Sequence, residues 1–70
     1  MPGEPIYKHI RLTGTSSSSL EDAIDNAVGR AAKNLRNLRW FQVIETRGNI
    51  DGDHVSQWQV TVEVGFHLDE

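Results

Sequence analysis

Cysteine is missing from this chain of 70 residues. Disulfides and thiolate metal sites are therefore excluded, and the lack fits a reducing compartment. No apolar run approaches the ~20 residues needed to span a bilayer. The opening stretch MPGEPIYKH has no apolar segment of signal-peptide type. The expectation is a soluble, cytoplasmic protein. Basic residues are also few. Seven Lys and Arg against ten Asp and Glu leave a net charge of −3, which argues against a nucleic-acid binder. Catalytic signatures are missing as well. There is no Gly-x-Ser-x-Gly elbow and no Gly-rich phosphate loop, and His9, His54 and His67 lack the HExxH spacing.

A single domain of this length buries only ~60% of its unfolded surface, so its own core is marginal. Small folds usually add disulfides, a metal or a partner subunit. With disulfides excluded, oligomerisation is the expected extra source of stability.

What is present reads as strand, helix, strand, hairpin, strand. In IYKHIRLTG, Ile6, Ile10 and Leu12 share one parity, with Lys8 among them. This predicts a short strand with one mostly apolar face, ended by Gly14 and followed by the loop TSSSS. Ser18 stands three residues before Glu21, the spacing of a capping box. Leu20, Ile24, Ala27, Val28, Ala31, Leu35 and Leu38 then recur in steps of three and four. They predict one helix from Leu20 to Leu38, with Gly29 as the mark of a close packing contact. Acidic Glu21, Asp22 and Asp25 lie early, and basic Arg30, Lys33, Arg36 and Arg39 late. That order suits the helix macrodipole, and equally a basic stripe aimed at phosphate.

Asp51-Gly52 signals a hairpin. After it, Trp58, Val60, Val62, Val64, Phe66 and Leu68 alternate with Gln57, Gln59, Thr61, Glu63, Gly65 and His67. One face should enter the core and the other stay polar. The sum is a small α+β domain over 1–70, β-α-β-β, in which a three-stranded antiparallel sheet partly wraps one helix. Residues 1–5 and 69–70 are expected to be loose.

The run RWFQVIETRG sets Trp40 beside Phe41, and strand neighbours point to opposite faces. Phe41 and Val43 suit the core beneath the helix. Trp40 then faces away, with Gln59 of the last strand on the same outer face. Such a surface reads either as a subunit interface, where tryptophan is enriched, or as a stacking platform for a flat ligand with an amide to read its edge. Glu45 and Arg47 share Phe41's parity. They form a solvated cross-strand ion pair beyond the core edge, or a bulge near Gly48 resets the alternation. His9 and His67 on the outer face leave room for a weak metal site. Glu45 and Glu63 would make a carboxylate pair, although nearby arginines favour ion pairing.

The ordered set YKHIRLTGTS, SLEDAI, LRWFQVIETRG and WQVTVEVGF resembles the dodecin family, small bacterial and archaeal flavin-binding proteins, over nearly the whole chain. The resemblance implies the fold just read and a hollow homododecamer of cubic symmetry. It implies flavin pairs at two-fold contacts, stacked by Trp40 and bonded at the ring edge by Gln59, with Arg47 and Glu45 lining the site. FMN, or else riboflavin, is the implied ligand. Coenzyme A is a further implied ligand, held through basic residues at Lys8, Arg30 and His67, with Asn34 beside them. His67 stands where arginine is often found, which weakens a charge contact to phosphate at neutral pH. The implied role is storage, buffering and photoprotection of flavin, not catalysis. The alternatives are a flavin-dependent enzyme and an oligomeric shell for another aromatic or phosphate ligand.

Overall fold

A computed structural model describes residues 3–69. The first strand, β1, spans Tyr7–Ser16, the helix α1 Leu20–Asn34, and the hairpin strands β2 and β3 Leu38–Asp51 and His54–His67. The sheet is antiparallel with order β1-β3-β2. The last strand is thus central, and the middle run of the sequence is an edge strand.

The helix is shorter than its apolar periodicity suggested. It stops at Asn34, with Leu35 as C-cap, and Leu38 already belongs to β2. Asn37 takes a positive φ of 66°. That left-handed conformation, which asparagine tolerates better than most residues, turns the chain from helix to strand. Arg36 and Arg39 therefore lie outside the helix, and Lys33 is the basic residue of its last turn. At the other end the cap is Ser19 rather than Ser18. Its side chain accepts from the Asp22 N–H at 3.0 Å, so the capping spacing is Ser19–Asp22 and not Ser18–Glu21.

β1 does not end at Gly14 but runs to Ser16. Gly14 has a different task. A Cβ there would lie 2.0 Å from the Ala23 carbonyl oxygen and 2.8 Å from the Ala27 Cβ. Helix and strand touch at backbone distance, through Gly14 on one side and the buried Ala23 and Ala27 on the other. Gly29, expected at such a contact, faces open space. Buried Ser16 pins the junction, donating to Asp22 Oδ2 at 2.6 Å and accepting from the Ser18 N–H at 2.8 Å. Asn26 donates to the Thr15 carbonyl at 2.9 Å.

The core joins Ala23 and Ala27 to Val60, Val62 and Val64, with Ile10, Leu12, Leu20, Ile24 and Leu38 against it. The helix lies over β1 and β3 and barely reaches β2. Phe41 and Val43 consequently do not enter the core. They sit on the helix side of the sheet, opposite Val64 and Val62, yet remain 50% and 41% exposed. Trp58 is likewise only half-buried, and Leu68 lies past the end of β3, exposed.

The hairpin turn is Gly52-Asp53, since Asp51 pairs with His54. Gly52 has φ +66°, as the first central position of a type II′ turn demands. The long hairpin stretches the molecule to 59 × 20 × 13 Å with a radius of gyration of 14.8 Å, against ~11 Å for a compact chain of this length. Asp69, expected to be loose, accepts from Asn37 Nδ2 at 2.9 Å and pairs with Arg36. Of the other termini expected to be loose, residues 1–2 and 70 lie outside the described residues.

Candidate functional site

The outer face of the sheet is built in cross-strand rows, and two bulges in β2 decide what stands there. Leu38 pairs with Phe66 but Trp40 with Gly65, so the extra residue Arg39 turns Trp40 outward from an inward Leu38. Val43 pairs with Val62 but Glu45 with Thr61, so Ile44 is the second extra residue. A bulged residue flips the alternation after it. Glu45 and Arg47 thereby join Trp40 and Gln59 on the outer face. A bulge was expected near Gly48; the one that brings these residues out is at Ile44.

Four rows result, each reading β1, β3, β2: His9–Gly65–Trp40, Arg11–Glu63–Gln42, Thr13–Thr61–Glu45 and Thr15–Gln59–Arg47. In the first, the Trp40 indole lies across Gly65. A Cβ on Gly65 would come within 2.1 Å of Cε2 and 2.2 Å of Cζ2. The ring reaches His9 on the far strand, with centroids 5.9 Å apart. Trp40 remains 42% exposed. In the second row Glu63 accepts from Arg11 at 3.1 Å and meets His9 Nδ1 at 3.4 Å. In the third, the Thr13 and Thr61 hydroxyls bond at 2.8 Å. In the fourth, Arg47 Nε donates to Gln59 Oε1 at 2.8 Å. Arg47 thus turns to the amide and not to Glu45, and the expected ion pair is not formed.

Trp40, Glu45, Arg47 and Gln59 therefore occupy one surface, as an apolar plate at one end and an amide with a guanidinium at the other. Such a face offers a flat ligand a stacking surface, hydrogen bonds at its edge and a cation for an anionic tail. The coenzyme A candidates are only partly gathered. Asn34 and His67 share a polar pocket of about 220 Å³ with Arg36, Asn37 and Asp69, whereas Lys8 and Arg30 do not line it. His67 meets Tyr7 edge-on at 5.8 Å. In the same corner, hydrogen bonds from Asn37 and Arg36, then the charge of Arg36, hold the Asp69 carboxyl below its ordinary value. Among the described residues no three His, Cys, Asp or Glu side chains come together as a metal site.

Sequence reasoning passed over Gly65 and Gln57. A glycine inside a strand marks a close approach of another group, and that was the available signal for Gly65. Gln57 carried no signal beyond its parity with Gln59.

Comparison with known proteins agrees with this architecture. The Dodecin family model matches residues 6–69. A dodecin of Thermus thermophilus is 51% identical over 65 residues, covering 93% of this chain and 94% of that protein. A calcium dodecin of Mycobacterium tuberculosis is 33% identical over 63 residues, covering 90% and 89%. Its crystal structure, described as that of a calcium-chelating antigen with a novel calcium-binding site, matches with a TM-score of 0.79 at 32% identity, over 91% of each chain. The dodecin of Streptomyces coelicolor matches with a TM-score of 0.92 at 39% identity, over 99% of each chain.

Proposed function

Since the chain belongs to the dodecin family, we propose that it stores, buffers and photoprotects FMN or riboflavin in a cytoplasmic homododecamer, without turning the flavin over. The observation that carries this reading is the Trp40 indole laid over Gly65 on an outer sheet face. It is a large apolar plate that the monomer leaves half open. Gln59 and Arg47 stand on the same face to bond a ring edge and a phosphate. Bound flavin would supply a planar, electron-accepting chromophore. Trp40 would hold it by stacking and would serve as the reversible electron donor that quenches its excited state without net chemistry. Storage of this kind needs no general base.

Assembly is supported by surface the monomer leaves bare. Phe41, Val43, Ile44, Ile50 and Val55 are all exposed. Four of these lie on the edge strand β2 and Val55 beside them on β3, and exposed apolar side chains along an edge strand are what a partner copy covers. No helix among the described residues is long and apolar enough to cross a membrane.

The test is quenching of FMN fluorescence by the purified protein at micromolar concentration. Wild type should quench and Trp40→Ala should not. Trp58→Phe, on the opposite face, should leave quenching in place. Unchanged emission with wild type, or full quenching by Trp40→Ala, overturns the reading. Steady NADH oxidation with added FMN would favour an enzyme instead. The M. tuberculosis relative supplies a second reading, calcium binding. Calcium uptake in equilibrium dialysis, without any effect on flavin emission, would favour it.

A further inference from the structure

Gln59 does not stand alone on the outer face. Arg47 Nε donates to its Oε1 at 2.8 Å, and its Nε2 donates to Gln57 Oε1 at 2.9 Å. Asn49 Nδ2 reaches the same Gln57 oxygen at 3.3 Å. The register explains the closeness. Arg47 is the cross-strand partner of Gln59 and Asn49 that of Gln57, while Gln57 and Gln59 are two apart on one strand and share a face.

Amide oxygen and nitrogen look alike, so an isolated glutamine has two orientations of similar energy. Here the chain of contacts has one solution. A guanidinium carries donors only, so the atom that meets Arg47 must be the Gln59 oxygen. That turns Nε2 toward Gln57, whose facing atom must then accept. Asn49 donates to that same oxygen. Reversing any one amide sets donor against donor or acceptor against acceptor. After these bonds Gln59 keeps one lone pair on Oε1 and one hydrogen on Nε2.

We propose that Gln57, backed by Asn49 and Arg47, is a positioning residue that locks the Gln59 amide, so that the site selects flat ligands presenting an N–H beside a carbonyl. The inference rests on the flavin reading for its ligand. The isoalloxazine edge at N3–H, flanked by two carbonyls, is such a pattern. A fixed amide meets it with both hydrogen bonds at once and loses no freedom on binding.

The relay is first tested without ligand. In ¹⁵N spectra of the apo protein, the Gln59 side-chain NH₂ should exchange slowly with solvent, and the proton bonded to Gln57 should lie downfield of its free-glutamine position. Gln57→Leu should speed the exchange and return that proton to its free-glutamine position. Gln57→Glu, which keeps an acceptor oxygen for both donors, should preserve the slow exchange and the downfield position. Asn49→Ala should give the change of Gln57→Leu in smaller measure, and it serves if the leucine variant does not fold. The second arm compares riboflavin with 3-methylriboflavin, which lacks the N3–H, in quenching titrations. Wild type should prefer riboflavin by about tenfold, the scale of one hydrogen bond. Gln57→Leu should narrow that preference to about twofold, and Gln57→Glu should retain it. Unchanged amide signals in Gln57→Leu, or a preference that survives it, overturn the proposal. Failure of wild type to quench either flavin defeats the flavin reading instead, and the apo spectra then decide the relay alone.

Discussion

β2 and β3 are arms of one hairpin, each fourteen residues long, and they lead opposite lives. β3 buries Val60, Val62 and Val64 almost completely. In β2 every residue but Leu38 is exposed. Yet Val43 pairs with Val62 and Phe41 with Val64, so apolar side chains stand on the same side of both strands. The difference is cover. The helix lies over β1 and β3 and stops short of β2, because Gly14, Ala23 and Ala27 draw it down on that side. Alternation fixes which face a side chain takes; it is silent on whether anything lies above that face.

Trimming the two paired valines is the strongest way to test this. Val62→Ala removes two methyl equivalents from a fully buried site and should cost about 2–3 kcal/mol in urea unfolding. Val43→Ala should cost under about 1 kcal/mol in dissociated protein, since much of its side chain is already in water. Equal costs in the dissociated chain would break the comparison. Equal costs in the assembled protein alone would sharpen it, by showing that another subunit supplies the cover that the helix does not.

A second test concerns the opposite face. Gly65 of β3 leaves the space that Trp40 of β2 fills. Gly65→Ala would set a methyl where the indole lies. Because Trp40 is partly exposed it can swing out, so the fold should lose only about 1 kcal/mol. FMN affinity should fall about tenfold, the worth of one displaced aromatic contact. Unaltered quenching by Gly65→Ala would show that the indole does not bind flavin from the position it holds over Gly65.

The same contrast decides what could be read from the sequence. β3 was legible because its ladder to β1 is regular from Tyr7–His67 to Ser16–Trp58, and its alternation survives intact over that span. In β2 the facing was legible only from Trp40 to Val43, ahead of the bulge at Ile44. The extra residues Arg39 and Ile44 are ordinary strand formers, and nothing in their chemistry announces a bulge. Parity therefore put Arg47 with Phe41, when the structure sets it beside Gln59. The helix end was misjudged for a related reason. Leu35 and Leu38 continue the apolar period, but Leu38 spends its apolar side chain on the core as the first residue of a strand. The stop signal was Asn37, a residue able to take a left-handed φ, and it was outweighed by the leucines around it. Trp40 and Gln59 were placed on the outer face correctly because their parity is undisturbed: Trp40 precedes the Ile44 bulge, and Gln59 lies on the regular ladder to β1.

The smallest expected effect lies where β2 begins and β3 ends. There the strands are also tied by polar groups: the His67 N–H donates to the Asn37 carbonyl at 3.0 Å, and Asn37 Nδ2 donates to Asp69 Oδ1 at 2.9 Å. The Asp69 carboxyl is held below its ordinary value by the Asn37 bond first and Arg36 second. A depressed folded value means the contribution to stability is fully present above the unfolded value of ~3.9. It is lost as pH falls through the lower folded value. At neutral pH the tie is therefore intact, and it weakens only under strongly acidic conditions. Asn37→Gly isolates the side chain, because glycine accepts the same left-handed backbone while removing the amide donor. In ¹³C titrations of the carboxyl, Asp69 should then move back toward its ordinary value, stopping short while Arg36 remains. The urea midpoint at neutral pH should drop slightly, and the gap to wild type should close once Asp69 is protonated in both proteins. An Asp69 titration that Asn37→Gly leaves in place would assign the depression to Arg36 alone. The start of β2 would then be held to β3 by backbone bonds and the single leucine it buries.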